Sequence, residues 1–471
     1  MLLSEPRPPL APTVGSRGTS KRRRRGPGST SNSEELQVAS KTDRRPPTRT
    51  DAGQRSSIQR AILAAAVGNF VEWFSYGIYG YLAATLALVF FPQDGTSTGL
   101  LATFAVFGIA FIVIPLGGVF FGALGDRIGR KRVLAIVILL MASSTFLIGV
   151  LPPYAVVGVL SPVLLTLMRL VAGFSAGGEP AGAASFLLEY AKPGRRGLTV
   201  CFWHFSSFLG NAMAGLFIVV LTTMLSEPTM QSWGWRIPFL ICGPLGAIGL
   251  YIRSRMEDTP EFADLEAKGQ VASSPVRETI AANKKQILQT AGAVVLQGVV
   301  FYLILVYLQT YLTVVGHSTA FASFSTIAAN LSAMLVIIPF GALSDRIGRR
   351  NQMVAAAAGL VVLGYPLFVL LNSPNLVWVT VAHCALAILL ALFMGASAAG
   401  LPELFPTRVR YTGFAIGFTI PLALFGGNGP AAATYLISAT GSTLAPAFIV
   451  IASALVGGIA VTTIRAKSGH N

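Results

Sequence analysis

The sequence predicts an all-α membrane protein, with twelve transmembrane helices in two pseudo-symmetric six-helix bundles. Three observations predict it. Of 471 residues, 53% are hydrophobic and 11% charged, a balance that cannot clothe a soluble globule. Twelve long apolar segments follow one another, each near the roughly 20 residues a helix needs to cross the hydrocarbon. The third observation is internal repetition: Gly122-Ala-Leu-Gly-Asp126-Arg127-Ile-Gly129-Arg130-Lys131-Arg132 returns as Gly341-Ala-Leu-Ser-Asp345-Arg346-Ile-Gly348-Arg349-Arg350. Glu189, with Pro193 and Arg195-Arg196-Gly197 behind it, returns at nearly the same spacing as Glu403, with Pro406, Arg408 and Arg410. Two signatures in one order make the chain a duplication.

In chain order, residues 1–57 are rich in Pro, Ser, Thr, Gly and Arg, carry the run Lys21-Arg22-Arg23-Arg24-Arg25 and lack apolar periodicity, which predicts a disordered basic tail. Such a tail suits a solvated cytoplasmic segment or anionic lipid headgroups, and the formal charge of +16 requires no nucleic acid. The first apolar run is too long for a cleaved signal peptide. The twelve segments are placed at 60–90, 99–124, 132–151, 159–190, 198–225, 235–253, 287–313, 321–344, 353–371, 375–402, 412–437 and 444–465. This gives an N-terminal bundle at 58–253, a linker at 254–286 with charges of both signs, a C-terminal bundle at 287–466 and a short tail at 467–471. Each motif copy reads as a tight hairpin between two membrane helices. Arg127, Arg130, Arg195, Arg253, Arg349 and Arg408 fall in loops on one side, and the alternate loops are nearly free of bases except Arg236, so the positive-inside rule places both termini in the cytoplasm. Cys201, Cys242 and Cys384 lie in apolar runs and read as small hydrophobes. The sequence offers no phosphate-binding loop, metal-ligand spacing or nucleophile–base pair, so neither an enzyme nor an ATP-driven pump is expected.

On these motifs the chain resembles the major facilitator superfamily over residues 58–466. Gly68-Asn69-Phe-Val-Glu72-Trp73-Phe74, Arg169-Leu-Val-Ala-Gly173-Phe-Ser-Ala-Gly177-Gly178-Glu179 and Trp233-Gly-Trp-Arg236-Ile-Pro238 look like its metabolite:proton symporter branch, whose members carry shikimate, 2-oxoglutarate, citrate, proline or betaine. The chain departs from many branch members at Ser75, where they carry an aspartate.

The resemblance implies a cytoplasmic gate at the hairpins, made of Asp126, Arg127, Arg130, Glu189 and their counterparts Asp345, Arg346, Arg349 and Glu403. The aspartates are expected to accept from neighbouring helix N-termini and the arginines to reach the glutamates; the alternative is a topology signal with hairpin packing. Asn69, Glu72, Tyr76 and Tyr79 share one helix face, and Glu72 falls near mid-depth, where a carboxyl survives only if paired, protonated or facing a watery cavity. Arg169 falls at similar depth on the fourth segment, above a face of small residues suited to close contact. In the superfamily, helices 1, 4, 7 and 10 line the cavity, which leads to the expectation of a Glu72–Arg169 pair that a proton and a substrate carboxylate both break. Glu179, about 15 Å further along the same helix, needs a partner elsewhere. His204 and Asn211 share a face of the fifth segment; a proton shuttle competes there with a neutral imidazole bonded to a serine or carbonyl. Of Gln297, Tyr302, Tyr307, Gln309 and Tyr311 on the seventh segment, some are expected to line the cavity. Together these readings predict a monomeric secondary transporter of the plasma membrane, without a cofactor, importing a small polar metabolite with protons. A proton-coupled exporter and a non-transporting membrane sensor are the alternatives.

Overall fold

The computed structural model describes residues 49–91 and 95–465. Most of the predicted N-terminal tail and the tail at 467–471 lie outside them. The contacts described belong to one compact unit, Ala52–Asn471.

Among the described residues, twelve helices are long and apolar enough to cross a membrane: α1 Ser57–Tyr81, α2 Gly108–Ile128, α3 Arg130–Val150, α4 Leu160–Tyr190, α5 Arg196–Met224, α6 Arg236–Ser254, α7 Lys284–Val314, α8 Thr319–Ile347, α9 Arg349–Leu371, α10 Leu376–Leu404, α11 Thr407–Thr440 and α12 Ala445–Thr462. No strand occurs among the described residues. Helices α2, α3, α4 and α6 pack together in the first half, and α7 to α12 in the second. The halves meet through two equivalent crossings, α2 on α11 and α5 on α8. Ile112 and Leu335 are 71% and 70% exposed on the outer faces, apolar surface of a kind that needs lipid around it.

Two expectations are corrected, and a third, the tight hairpin at each motif, is met with less loop than the segment bounds implied. The helix containing α1 begins at Arg49, so residues 49–57, placed in the disordered tail, are helical. The first apolar run is broken at Leu82, and Ala83–Phe90 forms a separate short helix. The hairpin motifs are almost wholly helical: α2 continues to Ile128 and α3 starts at Arg130, leaving one residue, Gly129, to reverse the chain at φ 100°. Gly348 does the same at φ 90°, a region that costs a side chain but not glycine. The linker contains two short helices, Pro260–Ala267 and Pro275–Ala282.

Small residues set the tightest crossing. A Cβ on Gly117 of α2 would lie 1.7 Å from the Phe174 carbonyl of α4, and one on Gly177 would lie 2.1 Å from the Ile114 carbonyl, so the two backbones touch. At Gly177-Gly178 α4 is interrupted, and its second part starts at Glu179 with Pro180 in the first turn, where a missing N–H costs nothing. Helix α7 widens to a π-type turn over Leu303–Tyr307 and α11 over Leu422–Gly426; each shifts the helical register of the residues after it.

Candidate functional site

Two clusters of charged residues lie among the helices, one at the hairpin end with a half-exposed rim and one wholly buried. The first lies at the hairpin end. Asp126 is 1% exposed and caps the start of α11's main helix: it accepts from the N–H groups of Tyr411 and Thr412 at 3.3 and 2.8 Å and from the Thr412 hydroxyl at 2.7 Å. Asp345 does the equivalent for α5, accepting from the N–H groups of Gly197 and Leu198, both at 2.9 Å. A carboxylate at a helix N-terminus meets both unsatisfied N–H groups and the positive end of the dipole. Each aspartate also holds the arginine four residues on, Arg130 at 3.1 Å and Arg349 at 2.8 Å. Those arginines reach glutamates of their own half, Glu189 at 3.3 Å and Glu403 at 3.2 Å. The glutamates then reach across: Arg410 meets Glu189 at 2.9 Å and Arg196 meets Glu403 at 3.9 Å.

Arg127 and Arg346 stand apart from this cluster. Arg127 donates to the Ser273 carbonyl of the linker at 2.7 Å, and Arg346 is exposed and forms no ion pair among the described residues. The reason is helical phase: Arg127 and Arg346 follow the aspartates by one residue on the same helix, which turns each side chain about 100° away from the aspartate's, whereas Arg130 and Arg349 return from the next helix after the glycine turn.

The linker enters the same cluster, which the sequence did not reveal. Asp258 accepts from the N–H groups of Arg130 and Lys131 at 3.1 and 3.4 Å, the Thr259 hydroxyl donates to Glu189, and the Phe262 ring lies 4.9 Å under the Arg130 guanidinium. Glu261 takes Arg410 at 2.8 Å, the Thr407 hydroxyl at 2.7 Å and Arg196 at 3.7 Å. Burial alone would raise its pKa; Arg410, Thr407 and Arg196 outweigh that and hold the carboxyl below its usual range. A legible signal for Arg196 and Arg410 did exist: they are related by the same offset as Glu189 and Glu403.

The second cluster is in the helical interior. Glu72 is 5% exposed and its Oε2 has no hydrogen-bond partner among the described residues. The expected Glu72–Arg169 pair is not formed. The Arg169 guanidinium lies over the rings of Tyr79 and Tyr76, at 4.5 and 5.4 Å, so Tyr76, one turn from Glu72, stands between acid and base. Glu179 and Arg253 lie instead against Gly68, one turn before Glu72 on the same helix. Arg253 is the partner that Glu179 required: its Nη2 and Nη1 donate to Glu179 at 2.7 and 3.4 Å, its Nε donates to the Ala64 carbonyl at 3.2 Å and its Nη1 to the Leu134 carbonyl. The pair fits because Gly68 has no side chain; a Cβ there would lie 2.0 Å from Arg253 Nη2 and 2.8 Å from Glu179 Oε1. Position at the last turn of α6 made Arg253 look like an ordinary loop base in the sequence.

The other candidates separate. Asn69 is turned to α5: its Nδ2 donates to the Trp203 carbonyl and to the Ser206 and Ser207 hydroxyls at 2.7 to 2.9 Å, and its Oδ1 accepts from the Trp203 indole at 2.8 Å. Its polar capacity is spent inside the protein. Asn211 packs against α1 at Gly77, where a Cβ would stand 3.1 Å from Asn211 Oδ1. His204 stacks on Trp203 with centroids 4.3 Å apart, and its buried Nε2 has no hydrogen-bond partner among the described residues. The serine-and-carbonyl arrangement expected as the bland alternative occurs at His383, between the Ser325 hydroxyl and the Ile304 carbonyl, both at 2.9 Å. On α7, Gln297 accepts from Ser397 at 2.7 Å and Tyr302 approaches Glu72 and Tyr76. Beyond it the widened turn redirects Tyr307 to Thr434 and Tyr311 to Asn372 and the Thr443 carbonyl. A cleft of about 630 Å³ at the hairpin end, lined by Ala123, Arg127, Ile280 and Lys284 among others, touches neither cluster.

Comparison with known proteins places this arrangement. The family model described as Major Facilitator Superfamily matches residues 65–427. The chain is 36% identical to the proline/betaine transporter of Salmonella typhimurium over 424 residues, 88% of this chain and 84% of that one. It is 37% identical to the glycine betaine/proline/ectoine/pipecolic acid transporter OusA of Dickeya dadantii over 410 residues, 85% and 82% of the two chains. Among solved structures, the proton:xylose symporter XylE bound to a bromo-deoxyglucose superposes with a TM-score of 0.74 at 16% identity, covering 89% of this chain and 98% of the other. Against the partially occluded, inward-open form of XylE from E. coli the TM-score is 0.65 at 15% identity, covering 88% and 100%.

Proposed function

Since the chain belongs to the major facilitator superfamily and is a multi-pass membrane transporter, we propose that it imports a small zwitterion of the proline or betaine type together with protons. The observation that carries the proton coupling is Glu72, a carboxyl buried among apolar helices with one oxygen that has no hydrogen-bond partner among the described residues. An ionised carboxyl in such a place costs about 3 kcal/mol or more, and a carried proton removes that cost in transit. The substrate class rests on relatives of 36% and 37% identity that are named for proline and betaines. A guanidinium at Arg169, set over Tyr76 and Tyr79, suits a carboxylate.

In this reading the halves at 58–253 and 287–466 rock about the site, joined by 254–286, with both termini in the cytoplasm of a cell whose plasma membrane holds the protein. The hairpin-end cluster is then the cytoplasmic gate. Its bonds from Asp126 to α11, Asp345 to α5, Arg410 to Glu189 and Arg196 to Glu403 all cross between halves, so the halves cannot separate there without breaking them. That is the discrete two-state contact alternating access requires.

Purified protein in liposomes, given an inward proton gradient, should accumulate labelled proline or glycine betaine. Glu72→Gln should still exchange substrate across the membrane but lose accumulation. Extrusion by exchange with protons would replace this reading with an exporter, and ligand binding without flux would replace it with a sensor.

A further inference from the structure

Arg253 belongs to both clusters. Its side chain closes on Glu179, Ala64 and Leu134 in the interior. Its backbone is the last turn of α6, and five residues further on Asp258 holds the N–H groups of Arg130 and Lys131, with Thr259 on Glu189 and Glu261 on Arg410 next in line. The segment between is short, and its far end is pinned again where the Tyr190 hydroxyl donates to the Glu257 and Asp258 carbonyls at 3.0 and 3.2 Å.

Charge counting inside is unequal. Glu72, Glu179 and Arg253 are 5%, 0% and 3% exposed, and the Glu179–Arg253 pair sits against Gly68, one turn before Glu72 on α1, so two carboxyls share the neighbourhood of one guanidinium. The groups around them do not correct the imbalance. Tyr76 on α1, Tyr302 on α7 and Tyr411 on α11 are phenols; His204 is the titratable group on the adjoining stretch of α5; Arg169 lies beyond Tyr76; and Asp126 and Arg130 lie beyond Tyr411. With both carboxyls ionised, a buried negative charge is uncompensated, and one proton removes it.

We propose that Glu72, Glu179 and Arg253 bind one proton between them, and that Arg253 links its presence to the closed gate through residues 254–261. With the proton on Glu72, Arg253 serves Glu179 alone, which is the geometry seen together with the closed gate. Once Glu72 is ionised it competes for the guanidinium, draws it from the Ala64 and Leu134 carbonyls and moves the end of α6 that carries Asp258. Linkage is reciprocal: opening the gate lowers the site's hold on its proton, which leaves from Glu72 as a simple dissociation. This deepens the symport reading and rests on it, but its test does not use a transported substrate.

The test uses full-length protein in inside-out vesicles with Ala415→Cys as reporter. Ala415 is fully buried beside Gly122, where α11 meets α2, and reacts with an impermeant maleimide only when the gate opens; labelling of the unsubstituted protein gives the background from its own cysteines. From pH 5.5 to 8 the labelling rate, divided at each pH by that of the same thiol in denatured protein to remove the growth of the thiolate fraction, should rise about tenfold, the shift of one proton-linked two-state equilibrium by about 1.4 kcal/mol. Glu72→Gln should hold the rate at its low-pH value throughout. Arg253→Gln leaves two acids without a base and is expected to insert poorly, so Glu179→Gln with Arg253→Gln, which removes both charges, is the second variant; it should insert and label fast at every pH. A wild-type pH profile in either Glu72→Gln or the double variant overturns the relay. Wild-type vesicles that show the pH profile but no proton-driven uptake would leave the relay standing and remove the symport reading.

Discussion

Arg410 at the start of α11 and Glu189 near the end of α4 are joined at 2.9 Å, and the same Arg410 nitrogen lies 2.8 Å from Glu261 of the linker. One guanidinium thus ties the two halves and the segment between them into a single contact. Both Asp126 and Glu261 can be tested through it.

Asp126→Asn should insert normally and lose at least about tenfold in uptake, because an amide keeps the shape but weakens charge-assisted bonds to the α11 N–H groups and to Arg130. Asp126→Glu, which keeps the charge, should retain more. Uptake normalised to surface abundance checks this; normal flux in the Asn variant would remove Asp126 from the gate.

Glu261 gives a pH dependence with a defined sign. Its folded-state pKa is depressed, so the stability it contributes is present above the unfolded-state value of about 4.3 and is lost as pH falls through the lower folded-state value. Thermal melts in detergent should therefore show wild-type protein losing more stability than Glu261→Gln between pH 5 and pH 3. Equal losses would show that Glu261 adds nothing to the closed state.

Gly117→Ala should be severe, because the new Cβ would fall 1.7 Å from the Phe174 carbonyl, a backbone atom that cannot rotate aside. A loss on the order of 1–3 kcal/mol or failed insertion is expected. Gly108→Ala, where nothing lies within 4 Å, should be neutral or slightly stabilising. Melting temperatures of the two variants test whether the crossing of α2 and α4 is set by backbone contact.

Asn69 and Arg169 should fail in different ways. Asn69→Ala strands the buried Trp203 indole N–H and should lower stability by about 1–3 kcal/mol with an unchanged KM in whatever protein survives. Arg169→Lys keeps the charge but loses the planar fork, so it should melt normally and raise the KM for substrate. Melting temperature and KM measured together separate the two, and a raised KM in Asn69→Ala at normal stability would return Asn69 to the substrate site.

The sequence by itself determined the fold class and the duplication, because apolar segments near 20 residues long leave a chain few options other than to span, and a motif written twice at one offset needs no coordinates. It also located both sets of hairpin charges, since acid, bases and turn glycines recur together in one short motif. Partnerships between distant segments were decided only in the tertiary structure. Counting along the segments put Glu72 and Arg169 near one depth, but depth fixes one coordinate out of three, and the guanidinium lies over Tyr76 and Tyr79 instead. Arg253 reads in sequence as one more base at a helix end; it becomes the partner of Glu179 only because Gly68 leaves α1 bare at that level and lets α4 and α6 close on it.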